Sequence, residues 1–184
     1  MHEDLRNQIL EHFPAMRSFA ISLCRDTALA EDIVQDAVIK ALLNFDKFKT
    51  GTNLKAWLLT IVRNTFYSEM RRSGREVAEI EHDGPGATAI PPVHDGVLQL
   101  RDFRRVFCKL GVEYREALLL VGALGFPYDE AARICGVPVG TIKSRVLRAR
   151  RQLAEELQMT KPADREMMDP RMRAVLSRQP SAIF

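Results

Sequence analysis

The chain has 184 residues, of which 46% are hydrophobic and 28% charged, which is typical of a globular protein and excludes a wholly disordered one. Its formal net charge of +3 is too small to indicate a nucleic-acid partner unless the cations cluster locally. The longest apolar run, residues 117–128, is too short to cross a bilayer, and the polar N-terminus is unlike a signal peptide. Scattered cysteines without ligand spacing argue against a zinc site and suit a reducing compartment, so we expect a cytoplasmic protein without metal or cofactor.

Apolar residues at helical spacing predict two helices at the start of the chain, and no stretch alternates as a strand would. The first helix runs from about Asp4 to Cys24, with Pro14 marking a bend or a fresh start. The second runs from about Thr27 to Phe45. Its buried face is expected to comprise Ala30, Ile33, Val34, Ala37, Val38, Ala41, Leu42 and Phe45.

A loop and a third helix complete the first predicted domain. The loop covers residues 47–53, with Gly51 as the breaker and Thr52 or Asn53 as the N-cap of a helix that ends near Arg72. That helix is expected to bury Leu54, Trp57, Leu58, Ile61, Val62, Thr65 and Phe66. Three helices with matching apolar faces can close one small core.

Glycines, prolines and charges then replace large apolar residues, which is a linker composition. Helical pattern returns in four segments, at about 95–109, 113–124, 128–135 and 139–157. The sequence therefore predicts an all-α protein with two small helical domains joined by a flexible linker. The predicted boundaries are a first domain at 1–72, a linker at 73–94, a second domain at 95–157 and a C-terminal tail at 158–184.

The segment 128–151 has the pattern of a helix-turn-helix, two helices joined by a tight turn. Gly136 can adopt the left-handed conformation that ends the first of them. The residues expected to face inward are Ala131, Ala132, Ile134, Ile142, Val146 and Leu153. Every charged residue between Pro138 and Leu153 is basic, which favours contact with a polyanion.

The outer side of the second helix is the predicted DNA contact. Its candidate residues are Thr141, Lys143, Ser144, Arg145, Arg148, Arg150 and Arg151. Because arginine can bind guanine through two hydrogen bonds, Arg145 is the first choice for a base contact. Arg150 and Arg151 are better placed for phosphates. The alternative is a solvated basic helix packed on a core.

An acidic face is predicted on the second helix of the first domain. Asp32, Gln35 and Asp36 share one side of that helix, opposite its apolar face. Such a surface suits a basic protein partner and not DNA, although a charged outer face is often only solvated.

The loop and the third helix carry polar, basic and aromatic residues that could hold an unstacked base. The candidates are Lys49, Thr50, Thr52, Asn53, Arg63, Asn64 and Tyr67. Trp57 could be a stacking platform, but its position within the apolar pattern favours packing in the core.

These motifs, in this order, resemble those of a sigma factor of the extracytoplasmic function (ECF) class. The resemblance assigns residues 30–36, with the acidic face, to docking on the polymerase clamp. It assigns 51–58 and 63–66 to recognition and melting of the −10 element, and 139–145 to the helix that recognises the −35 element. It implies that the two domains are a sigma-2-like helical bundle and a sigma-4-like helix-turn-helix domain, and that the partners are core RNA polymerase and promoter DNA.

Within that class, residues 63–69, 115–123 and 130–136 resemble the EcfG group, the general stress response factors of alphaproteobacteria. The resemblance implies inhibition by a NepR-like anti-sigma factor, which a PhyR-like response regulator relieves. Pro127 departs from the family pattern, which often has a serine cap before the first helix of the motif.

Two alternatives remain at this level. A sigma-like decoy would only titrate an anti-sigma protein, although the basic helix would then have no purpose. An ordinary helix-turn-helix regulator would explain residues 113–153 but leave the first domain without a role. An enzyme is not expected, because the sequence has no phosphate-binding glycine loop, nucleophile motif or metal cluster.

Overall fold

The computed structural model describes residues 2–49, 51–74 and 95–157, and every regular element within them is helical. The chain divides into two compact units, Met1–Gly86 and Ala87–Phe184. The all-α prediction is therefore confirmed. Most of the predicted linker and the whole predicted tail lie outside the described residues. Among the described helices, none combines the length and apolarity that a membrane span requires.

The first unit packs three α-helices against one another. They are α1 (His2–Cys24), α2 (Thr27–Leu43) and α3 (Leu54–Arg72), with a short 3-10 helix at Phe45–Lys47 between α2 and α3. The buried side chains on these helices are Ile9, Met16, Phe19, Ala20, Leu23, Cys24, Ala30, Ile33, Val34, Ala37, Ala41, Leu58, Leu59, Val62, Phe66 and Met70. This core holds the outer faces of α2 and α3 in fixed positions.

The fresh start predicted at Pro14 does not occur, because α1 continues through the proline as one helix. Proline cannot donate to the carbonyl of Leu10 one turn earlier. Pro14 and Leu10 are both exposed, so water can satisfy that carbonyl without breaking the helix.

The predicted buried face of α2 is wrong at its C-terminal end. Leu42 is 48% exposed, while Val38 and Phe45 are half-buried. The helix ends at Leu43 because the Asn44 side chain donates to the carbonyl of Lys40, at 2.9 Å. Phe45 consequently starts the 3-10 helix and does not extend α2.

The second unit contains α4 (Asp95–Lys109), α5 (Val112–Leu118), α6 (Tyr128–Cys135) and α7 (Val139–Glu156). A π-helical turn at Leu119–Ala123 continues α5, where the sequence predicted a regular helix. The core of the unit lies around α7, which packs against α4, α5 and α6. Its buried apolar residues include Phe103, Val106, Leu118, Leu120, Ala131, Ile134, Ile142, Val146, Ala149 and Leu153.

The N-cap of α2 gives a stability prediction. Asp26 accepts a hydrogen bond from the backbone N–H of Leu29 at 3.1 Å. We expect Asp26→Ala to lower the free energy of unfolding of the first unit by about 1 kcal/mol, because that N–H loses its partner. Asp26→Asn is the matched control, since asparagine caps as well as aspartate does. Urea unfolding followed by the fluorescence of Trp57, the single tryptophan, measures both variants. Equal losses in the two variants would contradict the capping role.

Candidate DNA and partner surfaces

The turn between α6 and α7 has the geometry that a helix-turn-helix requires. Gly136 adopts the left-handed conformation, with φ +65° and ψ 35°, as predicted. Its N–H bonds to the carbonyl of Arg133 at 3.3 Å, and the N–H of Val137 bonds to the carbonyl of Ala132 at 3.1 Å. These two bonds form a Schellman motif, which ends α6 and turns the chain into α7. Pro127 provides no side-chain cap for α6, but Asp129 and Glu130 in its first turn favour the positive end of the helix dipole.

The inward side of α7 is the one predicted from the sequence, with Ala149 in addition. Ile142, Val146, Ala149 and Leu153 are all buried. The remaining circumference of the helix carries the predicted DNA contacts. Of these, Lys143, Arg148 and Arg151 are exposed, whereas Thr141, Ser144, Arg145 and Arg150 are half-buried.

The basic residues of α7 differ in how they can meet a ligand. Arg145 lies about 60° from Ile142 around the helix and Arg148 about 120°, so Arg148 projects further from the core. Arg151 pairs with Glu155 at 2.7 Å, and the hydrogen bond and charge of that carboxylate raise the pKa of Arg151. A phosphate would compete with Glu155 for Arg151.

The acidic face of α2 is fully on the outside of the first unit. Asp32, Gln35 and Asp36 are each exposed and lie opposite the buried Ile33, Val34 and Ala37. The neighbouring acid Glu31 instead pairs with Arg17 of α1 at 2.6 Å. The structure thus brings the three predicted residues together on one surface, which can attract a basic partner.

The loop before α3 is a tight turn. The N–H and the hydroxyl of Thr52 both donate to the carbonyl of Lys49, at 3.1 Å and 2.7 Å. Gly51 adopts φ +88°, a backbone conformation that is unfavourable for residues with a Cβ atom. Asn53 is the N-cap, accepting from the N–H of Ala56 at 3.2 Å. Thr50 lies outside the described residues.

Trp57 was predicted to lie in the core, but it does not. It is half-buried and packs on Phe45, in the 3-10 helix, and on Phe48, the residue after that helix. Its ring centroid is 5.4 Å from that of Phe48 and 6.2 Å from that of Phe45, and the two phenylalanines stack at 5.5 Å. This aromatic cluster therefore joins the two ends of the loop. This cluster could not be predicted from the sequence, because the 3-10 helix that carries Phe45 interrupts the helical periodicity.

The polar side of α3 continues from the loop. Asn64 is exposed, and the guanidinium of Arg63 lies 4.6 Å from the centre of the Tyr67 ring. This cation–π contact orders a cation and an aromatic ring side by side. Arg71 is also exposed, while Arg72 pairs with Glu69 at 2.6 Å. The arrangement offers charge for phosphates and a ring face for a base.

Gly51 provides a second stability prediction. An added Cβ would meet no atom within 4 Å, so any loss must come from the backbone conformation. We expect Gly51→Val to lower the free energy of unfolding by about 1–2 kcal/mol, because L-residues disfavour the left-handed region. Asparagine tolerates that region, so Gly51→Asn should lose less than half as much. Trp57 fluorescence during urea unfolding reports on both. A valine variant as stable as the asparagine one would show that the turn does not need this conformation.

The chain is similar to known proteins in family, in sequence and in fold. Residues 9–76 match the family model of sigma-70 region 2, and residues 100–153 match that of sigma-70 region 4. The chain is 46% identical to the ECF RNA polymerase sigma factor EcfG of Rhodopseudomonas palustris, over 83% of this chain and 84% of that protein. The chain belongs to the ECF RNA polymerase sigma factors.

More distant relatives and solved structures agree with this assignment. SigC, an ECF sigma factor of Mycobacterium tuberculosis, is 33% identical over 71% of each chain. Among solved structures, the sigma factor RpoE of Bartonella quintana, in complex with the anti-sigma factor NepR, is 48% identical with a TM-score of 0.72. That match covers 86% of this sigma factor and 99% of the other chain. The comparisons give no support to the decoy alternative.

Proposed function

We propose that this sigma factor directs core RNA polymerase to promoters of the general stress response. The observation that carries the proposal is the 46% identity to EcfG over most of both chains. Its setting would be the cytoplasm, where polymerase and promoters are found.

Each surface has a role in this proposal. The acidic face of α2 (Asp32, Gln35 and Asp36) docks on the polymerase clamp, and the exposure of all three residues supports that role. The loop and the polar side of α3 bind the −10 element through Lys49, Thr50, Thr52, Asn53, Arg63, Asn64 and Tyr67. Unstacking one base requires a few kcal/mol, which a pocket at the loop can offset.

The outer side of α7 binds the −35 element. Its contacts are Thr141, Lys143, Ser144, Arg145, Arg148, Arg150 and Arg151, with base edges nearer the N-terminal half and phosphates nearer the C-terminal half. Because both promoter elements are bound by one chain on one polymerase, each weak contact raises the effective concentration of the other. Phosphate contacts make the binding strongly dependent on salt.

We also propose that a NepR-like anti-sigma factor inhibits this sigma factor and that a PhyR-like response regulator relieves the inhibition. Support comes from the 48% identity to a sigma factor whose structure was solved with NepR. An inhibitor of this kind would cover surfaces that the polymerase or the promoter needs.

Transcription in vitro tests the proposal. Bacterial core polymerase is given a template with a stress-type promoter, with and without this sigma factor. We expect a specific transcript only when the sigma factor is present, and less of it when a NepR-like protein is added. No transcript, together with tight binding to the NepR-like protein, would contradict the proposal and favour a decoy.

A further inference from the structure

The loop before α3 obtains little support from its own side chains. Those that the structure describes are all exposed: Lys49, Gly51, Thr52 and Asn53. The hydrogen bonds of Thr52 act within the loop, and that of Asn53 acts at the start of α3, so neither residue ties the loop to the segment before it. Exposed segments with few packed side chains open locally at a small cost in free energy. Such a loop keeps one shape only where both of its ends are held.

The aromatic cluster of Phe45, Phe48 and Trp57 holds the two ends together. Phe48 directly precedes the loop, and Trp57 lies one helical turn after its last residue. The rings of Trp57 and Phe45 meet edge to face at an interplanar angle of 80°, and the ring of Phe48 is tilted by 52° from that of Trp57. Aromatic pairs in such arrangements attract each other beyond the apolar area that they bury.

The cluster is anchored at both sides. On one side, the Asn44 side chain donates to the carbonyl of Lys40 in the last turn of α2, and its Oδ1 accepts a hydrogen bond from Nζ of Lys47 at 2.6 Å. These bonds attach the 3-10 helix, which carries Phe45, to the end of α2. On the other side, Trp57 belongs to α3. A continuous set of contacts therefore joins α2 to α3 across the ends of the loop.

The cluster is separate from the core that folds the first unit. Its three rings are half-buried, whereas core side chains such as Phe19, Leu58 and Val62 are completely buried. A substitution in the cluster should therefore change the loop while the three-helix core stays folded.

We propose that the aromatic cluster is a positioning device, which gives the loop its shape before DNA binds and so determines how strictly the −10 element is recognised. Its rings act through the loop and not by contact with a base. The inference rests on the proposed function, which places the −10 element against the loop and the polar side of α3. A site that is ordered in advance avoids the entropy cost of ordering on binding, and it holds its contact groups in one geometry that a wrong base does not fit.

The test compares how holoenzymes with the wild-type chain and with Phe45→Ala bind labelled promoter templates. The −10 element is matched or mutated, and each template is used as a duplex and in a form whose −10 element is kept unpaired by mismatches. Phe45→Ala should lower the ratio of affinities for matched and mutated −10 templates about tenfold in both forms, because a displaced loop loses its aligned contacts. The corresponding ratio for the −35 element should not change. Phe45→Tyr keeps the ring and should retain the wild-type ratio.

A second set of variants tests whether the rings act as one unit. Trp57→Leu should lower the −10 ratio as Phe45→Ala does, and it retains an apolar side chain on α3, so it tests the proposal even where Phe45→Ala does not fold. The double variant should lose no more than either single one, because each substitution alone already opens the cluster. The matched control is Phe13→Ala, which removes a half-buried phenylalanine of α1 outside the cluster and should leave the ratio unchanged. Circular dichroism verifies that each variant is folded.

A −10 ratio that stays at the wild-type value in folded Phe45→Ala and Trp57→Leu would overturn the inference. Equal losses at the −10 and −35 elements would overturn it too, since the substitutions would then act on the whole chain. A loss confined to duplex templates would assign the cluster to strand separation and not to the shape of the loop, which is a third contrary result. A wild-type holoenzyme that does not discriminate between −10 templates would instead contradict the proposed function, and the inference with it.

Discussion

Asp36→Lys is expected to weaken binding to core polymerase about a hundredfold. Asp36 is exposed and lies one turn from Asp32, so the two carboxylates act on the same partner surface. A lysine there replaces attraction to a basic partner by repulsion, and like charges placed together at an interface cost several kcal/mol. Loss of the acid alone has a smaller effect, because an exposed ion pair contributes only about 0–1 kcal/mol.

The matched control for this prediction is Asp46→Lys. Asp46 is also exposed and belongs to the same unit, but it lies on the 3-10 helix, outside the acidic face. Both substitutions change the net charge equally, so a general electrostatic effect would weaken both. We expect titration of labelled protein with core polymerase to show near-normal affinity for Asp46→Lys. Similar losses in the two variants would contradict docking through the acidic face.

Local patterns were enough to predict most of the helical architecture. Apolar periodicity located the helices, and single residues located their ends, as with the left-handed Gly136 and the N-cap of α3, which was predicted at Thr52 or Asn53 and is Asn53. These features depend on neighbours in sequence, which is why they can be inferred from it. The π-helical turn at Leu119–Ala123 could not, because an apolar segment of any helical type has the same pattern.

Burial that depends on partners far apart in sequence was predicted less well. Trp57 was assigned to the core, but it packs on Phe45 and Phe48, whose place is set by the 3-10 helix. Leu42 was assigned to the buried face and is exposed. Arg115 and Glu116 are buried in the second unit, which no charge pattern indicates.

The residues of the candidate sites could be predicted from the sequence, but the contacts between their side chains could not. Helical spacing correctly placed Asp32, Gln35 and Asp36 on one exposed side. It did not predict that Arg151 pairs with Glu155 or that Arg63 stacks on Tyr67.

Arg145→Ala and Arg148→Ala are each expected to lower discrimination at the −35 element by about 1–3 kcal/mol. A guanidinium that binds a guanine edge forms two hydrogen bonds, and a different base loses both. Arg148 reaches outward directly, since its side chain is exposed. Arg145 is half-buried at the flank of α7, next to Ser144, whose hydroxyl donates to the carbonyl of Thr141 at 2.9 Å.

Arg151→Ala is the control, because Arg151 is proposed to contact a phosphate, which is the same in every promoter sequence. Arg151 already pairs with Glu155, so its removal should weaken binding to all promoters by a similar, small factor. Holoenzyme binding to matched and mutated −35 templates, at several salt concentrations, separates the two behaviours. A base contact changes the ratio between templates, whereas a phosphate contact changes the dependence on salt. If the ratio stays the same in both Arg145→Ala and Arg148→Ala, neither arginine contacts a base, and any base contact of α7 must come from the other candidates, Thr141, Lys143 and Ser144.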